Sequence, residues 1–266
     1  MSSAKELLAA GRLNDAIQAM NDEVKRNPTD IQRRGFLAEL LCASGRLERA
    51  DAQLEVILQQ DPKAAVTIAL LRQLIRADTA RRDFYAAGRV PQFLDQPPPY
   101  LQNYVEATIH ARENRPAEAL RLIEQAEEQR PRIKGSCNGK PFEDLRNLDD
   151  VTAAVLEVLT STGKFYWIPM DRVQSIEFRK PERLRDLIWR RTAMSVAGGP
   201  DGEVFLPATY CPGTTEVSEA ALLGRVTEWQ GGDGAPMRGV GQVCFLAGDD
   251  SVSIMDMTTV TIGDGA

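Results

Sequence analysis

Few side chains in this sequence have the types and spacings that carry out chemistry. The single histidine, His110, lies in a helical pattern, and one histidine alone does not build a metal centre. The four cysteines are Cys42, Cys137, Cys211 and Cys244. Because no two of them are close in the sequence, neither a zinc site nor a disulfide framework is indicated. We therefore predict no metal ion and no cofactor.

Two adjacent carboxylates, Asp149 and Asp150, come nearest to an acid–base pair. They precede an apolar run, where an acidic side chain caps a helix and interacts favourably with its dipole. A catalytic alternative stays open, in which a hydrolase or nucleotide-binding enzyme uses them together with nearby basic residues. The glycine-rich stretch GGDGAPMRGVGQVCF (231–245) lacks the GxxxxGK[ST] pattern of a phosphate loop, so we interpret it as a loop between strands.

Basic residues cluster in one short part of an otherwise acidic C-terminal half. The cluster consists of Arg179, Lys180, Arg183, Arg185, Arg190 and Arg191. Glu182 and Asp186 interrupt it, so the arginines either form ion pairs within the chain or present a site for an acidic partner.

Length and composition describe a soluble globular protein. The 266 residues suffice for one large domain or two ordinary ones, and 43 % of them are hydrophobic. A net charge of −6 gives no general nucleic-acid surface. No stretch approaches 18 apolar residues and the N-terminus has no signal-peptide core, so we expect no membrane partner and a cytoplasmic location.

An internal repeat organises the first half of the chain. LLAAGRLNDAIQAMNDEVKRNP (7–28) resembles LLCASGRLERADAQLEVILQQDP (40–62). The matched pairs are Gly11 and Gly45, Ala16 and Ala50, and Pro28 and Pro62, each 34 residues apart. This is the tetratricopeptide period, with one helix–turn–helix per unit. Glycine closes the tight turn, alanine lets paired helices approach, and proline stops the second helix.

Further units extend the array to about residue 135. One lies at 107–131, and 63–97 fits a degenerate unit that PQFLDQPPP interrupts. We therefore predict four helical hairpins, the first truncated and the third irregular, over 1–135. A helical bundle without repeats is the alternative. The paired basic residues, Arg33 with Arg34 and Arg81 with Arg82, are interpreted as solvated helix faces.

The second half changes towards the two-residue period of strands. We interpret 134–142 as a linker and predict a helix over 148–163, so that 136–163 forms a linker and connecting helix. Strands are predicted at 164–168, 173–179, 190–197, 203–208, 225–229, 240–247, 252–257 and 258–262. A short helical insertion is predicted after Pro181. The fold class is thus α+β, with a small β-rich domain at 164–266 whose sheet is mixed or antiparallel and could close into a barrel.

Several motifs together resemble the ImpE family, also called TagJ, of bacterial type VI secretion accessory proteins. They include NGKPFEDLRNLDDVTAAVLEVLTSTGKFYWIPMDRVQSIEFRKPERLRDLIWRR, GPDGEVFLPATY, LGRVTEW and RGVGQVCFL, in that order, with FLAELLCASGRLERADAQL near the N-terminus. The resemblance covers nearly the whole chain. The combination of WIP, the F-x-x-P from Phe178 to Pro181, RDLIW, LGR-x-T-x-W and RG-x-GQ is more specific than any single element.

The resemblance implies a non-enzymatic cytoplasmic adaptor. Members of the family are understood to bind the N-terminal helix of the small contractile-sheath subunit, and so to bear on sheath assembly or recycling by the ClpV-type AAA+ ATPase. That ATPase would then be an indirect partner. A self-associating scaffold is a further alternative.

Two surfaces compete as the binding site for such a helix. One is the concave face of the repeats, since helical arrays of this kind bind extended or helical peptides there. The other lies on the β domain, where aromatic and arginine side chains typical of interface hot spots cluster. The candidates on this second surface are Tyr166, Trp167, Arg185, Trp189 and Arg191. Alternation along the strand places Phe165 and Trp167 on one face and Tyr166 on the other, with Tyr166 either in the core or at a partner.

Overall fold

Helices dominate the first half of the chain and strands the second, which confirms the α+β fold class. The computed structural model describes residues 3–199, 201–211 and 216–263. The helices are α1 (Ala4–Ala9), α2 (Leu13–Arg26), α3 (Ile31–Ala43), α4 (Leu47–Gln60), α5 (Ala65–Ala87), α6 (Pro99–Arg112), α7 (Pro116–Gln129) and α8 (Glu219–Leu222). None of these helices is long and apolar enough to cross a membrane.

Three helical hairpins form the repeat array. Helix α1 packs on α2, α3 on α4, and α6 on α7. The first two turns contain Gly11 at φ +80° and Gly45 at φ +74°. Left-handed backbone of this kind costs a residue with a Cβ about 1–2 kcal/mol, which explains why glycine recurs at this position of the repeat. In the α6–α7 turn the left-handed residue is Asn114, at φ 57°.

The third unit contains one helix instead of two. Helix α5 runs for 23 residues and ends at Gly88, whose φ is +80°. The proline-rich segment that follows is not helical, because proline lacks the amide hydrogen that a helix needs. Instead Gln92 exchanges two backbone hydrogen bonds with a strand of the second domain, donating to the carbonyl of Phe165 (2.9 Å) and accepting from the amide of Trp167 (3.0 Å).

A guanidinium lies against the turn after each of three helices, α1, α3 and α5. A Cβ on Gly45 would lie 2.9 Å from Nη1 of Arg82, which belongs to α5. Arg112 of α6 donates to the carbonyl of Phe84 near the end of α5 (3.0 Å). At the end of α1 the arginine comes from the C-terminal domain, where Arg225 donates to two carbonyls at 2.8 and 3.1 Å. The C-terminal domain thus covers the first turn of the array.

The second half is built on an open antiparallel sheet. The strands are β1 (Gly135–Cys137), β2 (Lys140–Phe142), β3 (Leu145–Asn147), β4 (Val155–Leu159), β5 (Phe165–Pro169), β6 (Val173–Phe178), β7 (Trp189–Val196), β8 (Gly202–Pro207), β9 (Thr227–Gln230), β10 (Arg238–Gly241), β11 (Cys244–Ala247), β12 (Asp250–Ser253) and β13 (Thr259–Ile262). Eight strands follow the order β2-β1-β13-β6-β7-β8-β4-β5, so β2 and β5 are edges. Smaller sheets pair β9 with β10 and join β3, β11 and β12. The closed barrel considered from the sequence is therefore wrong.

The two faces of the large sheet contribute to different cores. Trp167, Trp189 and Phe205 face the helices and belong to the same buried cluster as the helical repeats. Ile168, Met194 and other residues on the opposite face of the sheet belong to a second cluster. The small three-stranded sheet contributes Phe245 to it. The alternation of Phe165 and Trp167 against Tyr166 is confirmed, since Tyr166 packs against the second cluster.

The connecting segment differs from its prediction. The helix expected over 148–163 is wrong, because residues 150–152 form one 3₁₀ turn and 155–159 form strand β4. The predicted linker at 134–142 is a hairpin of β1 and β2. Strand β4 has apolar side chains on both faces, and such a continuous apolar run has no period that distinguishes it from a buried helix.

A buried ion-pair cluster joins the helices to the sheet. Arg81 of α5 donates to Glu157 of β4 at 2.8 Å from Nε and 2.7 Å from Nη2, and to the carbonyl of Thr209 at 3.0 Å. Asp78 lies 3.4 Å from Arg81, and Tyr85 donates to Glu157 at 2.7 Å. Burial opposes the charge of Arg81, but Glu157 and Asp78 outweigh this effect and raise its pKa.

The prediction that the paired arginines lie on solvated helix faces is therefore wrong for Arg34 and Arg81. Arg81 is 2 % exposed, and Arg34 is 9 % exposed, with hydrogen bonds to Gln53 and to the carbonyl of Pro28. A buried guanidinium is stable only with such partners, and here most of them lie on other elements.

Candidate partner-binding groove

A groove of about 550 Å³ lies between the first helices of two successive units, α3 and α5. We call it the repeat groove. Helix α3 contributes Ile31, Gln32, Gly35, Phe36 and Glu39. The other side is formed by Leu54 and Ile57 of α4 together with Ala64, Thr67, Ile68 and Leu71. Most of the lining is apolar, and the polar residues are Gln32, Glu39, Thr67, Arg183 and Arg185. Such a mixed surface suits an amphipathic helix.

The residues of α3 that line the groove follow the periodicity of the helix. Gly35 and Phe36 each lie three or four residues from both Gln32 and Glu39, so the four residues share one face of the helix. Gly35 opens the floor of the groove, since a Cβ there would meet only Ile57 Cδ1, at 4.0 Å. A glycine inside a helix costs about 1 kcal/mol relative to alanine, so the position is costly for folding but leaves space for a bound segment.

The β domain supplies one wall of the repeat groove. Arg183 and Arg185 line it, from the 3₁₀ turn at Leu184–Leu187 that precedes β7 and contacts α3. Asp186 fixes this turn by accepting hydrogen bonds from the amides of Glu182 (2.9 Å) and Arg183 (3.0 Å). The turn predicted after Pro181 is thus present, beginning at Leu184. The groove is shared between the two domains.

Glu39 is the one carboxylate that lines the repeat groove within the described residues. It is half-buried and forms no ion pair within 4 Å in the described part of the chain. Burial raises the pKa of Glu39, and the more distant charges of Arg185 and Arg183 offset this only in part.

A second groove of about 400 Å³ continues the first towards the N-terminus. It shares Gln32 and Phe36 with the repeat groove and is lined further by Lys5, Met20 and Arg33, among others. This second groove is thus bounded by α1, α2 and α3.

The structure brings only one of the predicted β-domain residues into the groove, namely Arg185. Trp167 and Trp189 are 0 % and 1 % exposed and lie between the sheet and the helices. Trp167 meets the ring of Phe84 edge-on, with ring centroids 4.9 Å apart. The two tryptophans are therefore core residues in this fold.

Tyr166 and Arg191 lie elsewhere on the sheet. Tyr166 is partly exposed on the opposite face, beside an apolar pocket of about 390 Å³. Arg191 is exposed and pairs with Glu203 at 2.5 Å. Arg185 lies 3.8 Å from Asp186, and Arg179 lies 3.6 Å from Glu177. With Arg191, three of the six basic residues of the cluster thus pair with a carboxylate in the described part of the chain.

The carboxylates considered for catalysis have structural partners. Asp149 is 1 % exposed and accepts hydrogen bonds from Val151 and Gly239 amides, both at 2.9 Å, and from Arg238 at 2.8 Å. Asp150 accepts from Arg146 and from a backbone amide. The capping role predicted for Asp149 is confirmed, although it caps a 3₁₀ turn. In the described residues, no three metal-binding side chains are placed to hold an ion.

Gly35, Phe36 and Glu39 are not among the binding residues predicted from the sequence. Gly35 does carry a sequence signal, because a lone glycine inside a helical pattern often has a packing or binding reason. That signal does not indicate which residues form the opposite wall of the groove, because Arg183 and Arg185 are about 150 residues away in the sequence.

Comparisons with known proteins agree with this architecture. The ImpE protein family model matches residues 139–261, and a tetratricopeptide repeat model matches residues 7–78. The type VI secretion system accessory component TagJ of Pseudomonas aeruginosa is 33 % identical over 254 residues, which cover 96 % of this chain and 89 % of that protein. The chain belongs to the ImpE/TagJ family. A crystal structure of a Vibrio parahaemolyticus protein shares the fold of this ImpE/TagJ member, with a TM-score of 0.92 and 27 % identity over 98 % of this chain and 97 % of that one.

Proposed function

We propose that this protein is a non-enzymatic adaptor of the type VI secretion system. It acts in the cytoplasm, binds the N-terminal helix of the small contractile-sheath subunit in the repeat groove, and so influences sheath assembly or recycling by the ClpV-type ATPase. Membership of the ImpE/TagJ family and the name of the Pseudomonas aeruginosa relative support the secretion role. The ATPase is then an indirect partner, affected through the sheath subunit.

The observation that carries the proposal is the shape of the repeat groove. Its apolar floor lies between two helices, Gly35 leaves room for close approach, and the arginines of the β domain form a polar wall. An amphipathic helix recognises such a surface through apolar anchors at helical spacing. Because both domains line the groove, a bound helix would contact both.

A substitution that fills the groove tests the proposal. Gly35→Leu places a side chain in the open floor, and we expect it to weaken binding of the small sheath subunit by roughly tenfold or more, since a buried apolar anchor is displaced. Folding should not suffer, because leucine is a better helix former than glycine. Gly35→Ala is the matched control and should bind within a few-fold of the wild type. Isothermal titration calorimetry and urea unfolding measure the two quantities.

The partner side of the proposal has its own test. The full-length small sheath subunit should co-purify with this protein, and a subunit lacking its N-terminal helix should not. Retained binding after that deletion, or a Gly35→Leu variant that binds as the wild type does, would show that the repeat groove is not the sheath-helix site.

A further inference from the structure

We propose that Glu39 selects a sheath helix that carries a lysine or arginine among its apolar anchors. This rests on the function proposed above and names the chemistry of the segment that the repeat groove takes. The recognised element is a cation on the groove-facing side of an amphipathic helix.

The position of Glu39 gives the first argument. It follows Gln32, Gly35 and Phe36 on the face of α3 that lines the groove, so a helix lying over Gly35 passes over Glu39 as well. Glu39 is half-buried before any partner binds. In the described residues it has no ion pair within 4 Å, whereas the carboxylates buried between the two domains are all paired.

Desolvation gives the second argument. A helix laid into the groove removes more water from Glu39, and an ionised carboxylate buried without a partner is strongly unfavourable. Burial already raises the pKa of Glu39, although the charges of Arg185 and Arg183 act in the opposite direction. A lysine or arginine on the incoming helix stabilises the carboxylate with a charge-assisted hydrogen bond. A helix with an acidic residue at that place is repelled, so Glu39 supplies specificity as well as affinity.

The wall of the groove does not satisfy Glu39 in place of a partner. Arg185 lies beside Asp186, at 3.8 Å, which offsets its charge. Burial raises the pKa of Glu39 more than the charges of Arg185 and Arg183 lower it, and neither arginine forms an ion pair with Glu39 within 4 Å. Glu39 therefore lines the groove without a counter-ion of its own among the described residues, and a cation on the bound helix can supply one.

The test uses the full-length protein and a synthetic peptide of the sheath subunit's N-terminal helix. Glu39→Gln keeps the size of the side chain and removes its charge, and we expect roughly tenfold or greater loss of affinity by fluorescence polarisation. Glu55→Gln is the matched control, because Glu55 pairs with Arg72 on the surface, outside the groove. It should bind as the wild type does.

Charge reversal identifies the contact. Each lysine and arginine of the peptide is changed in turn to glutamate, and one of these peptides should bind poorly to the wild type and regain affinity with Glu39→Lys. If the Glu39→Gln variant binds the peptide as the wild type does while the Gly35→Leu variant binds it poorly, the role of Glu39 is refuted and the groove proposal stands. If no reversed peptide is rescued by Glu39→Lys, the cation pairing is likewise refuted. If the wild type binds no peptide at all, the function proposed for the groove fails as well.

Discussion

Removal of Arg81, at the junction between the two domains, should lower the unfolding free energy more than removal of a comparable surface arginine. The guanidinium is 2 % exposed and holds Glu157, which is only 11 % exposed, at 2.7–2.8 Å. Arg81→Met keeps the apolar stem. Among the described residues, Glu157 then retains a single partner, the hydroxyl of Tyr85, and Asp78 retains only Arg82. The variant therefore leaves a buried carboxylate without its counter-ion.

The size of the effect follows from this loss. Breaking a buried ion pair by removing one partner costs about 3–5 kcal/mol of unfolding free energy. For a chain of this length, that lowers Tm by roughly 6–20 °C. Arg72→Met is the matched control on the same helix, since Arg72 also holds two carboxylates, Asp51 and Glu55, but is 33 % exposed. Surface pairs of this kind contribute about 0–1 kcal/mol.

Urea unfolding followed by circular dichroism and by tryptophan fluorescence measures both variants. Fluorescence reports on the junction, because Trp167 and Trp189 are buried there. A second change, Glu157→Leu in the Arg81→Met background, should recover part of the loss, since that carboxylate is then no longer buried alone. Equal losses in Arg81→Met and Arg72→Met, or no recovery in the double variant, would contradict the account of the junction given above.

Two further predictions concern folding. Gly45→Ala should lower the unfolding free energy by about 1–2 kcal/mol, because φ at this position is +74° and the new Cβ would lie 2.9 Å from Arg82. The midpoint of urea unfolding measures the loss. An unchanged midpoint would contradict the left-handed turn at Gly45. Burial alone would raise the pKa of Asp144, but hydrogen bonds from Arg130 and a backbone amide outweigh it and lower the pKa. Asp144→Asn should therefore lower the unfolding free energy by its full amount at pH 7. The difference from the wild type should disappear as the pH falls below about 4 and through the folded-state pKa, because the wild-type carboxylate is then protonated. Urea titrations from pH 7 to pH 2 measure this difference.

Local patterns predicted much of the fold. The spacing of Gly11 and Gly45 identified the turns of the first two hairpins, because a left-handed residue is required at both. The strands at 164–168, 173–179, 190–197 and 203–208 agree with β5, β6, β7 and β8 to within one residue at each end. Predicted strand 240–247 is divided between β10 and β11. These elements alternate or are bounded by clear turns, so neighbouring residues carry the necessary information.

The missed elements depend on partners far away in the sequence. The sequence predicts a helix where strand β4 lies, because apolar residues lie on both faces of the strand and give no two-residue period. Glu157 is explained by Arg81, 76 residues earlier. The same holds for the candidate site, where Trp167 and Trp189 have the composition of a binding surface but are covered by helices. No local pattern indicates which helix covers which strand.

The position of Arg225 has a consequence for how the array unfolds. Free solenoids lose their terminal repeats first, since each repeat contacts only its neighbours. Here the first turn is covered by Arg225, and the last helix is followed by Arg130, which holds Asp144 of the second domain through two hydrogen bonds. Both ends of the array are thus anchored to one body. We expect the repeats to unfold in a single transition together with the sheet, without fraying from either end.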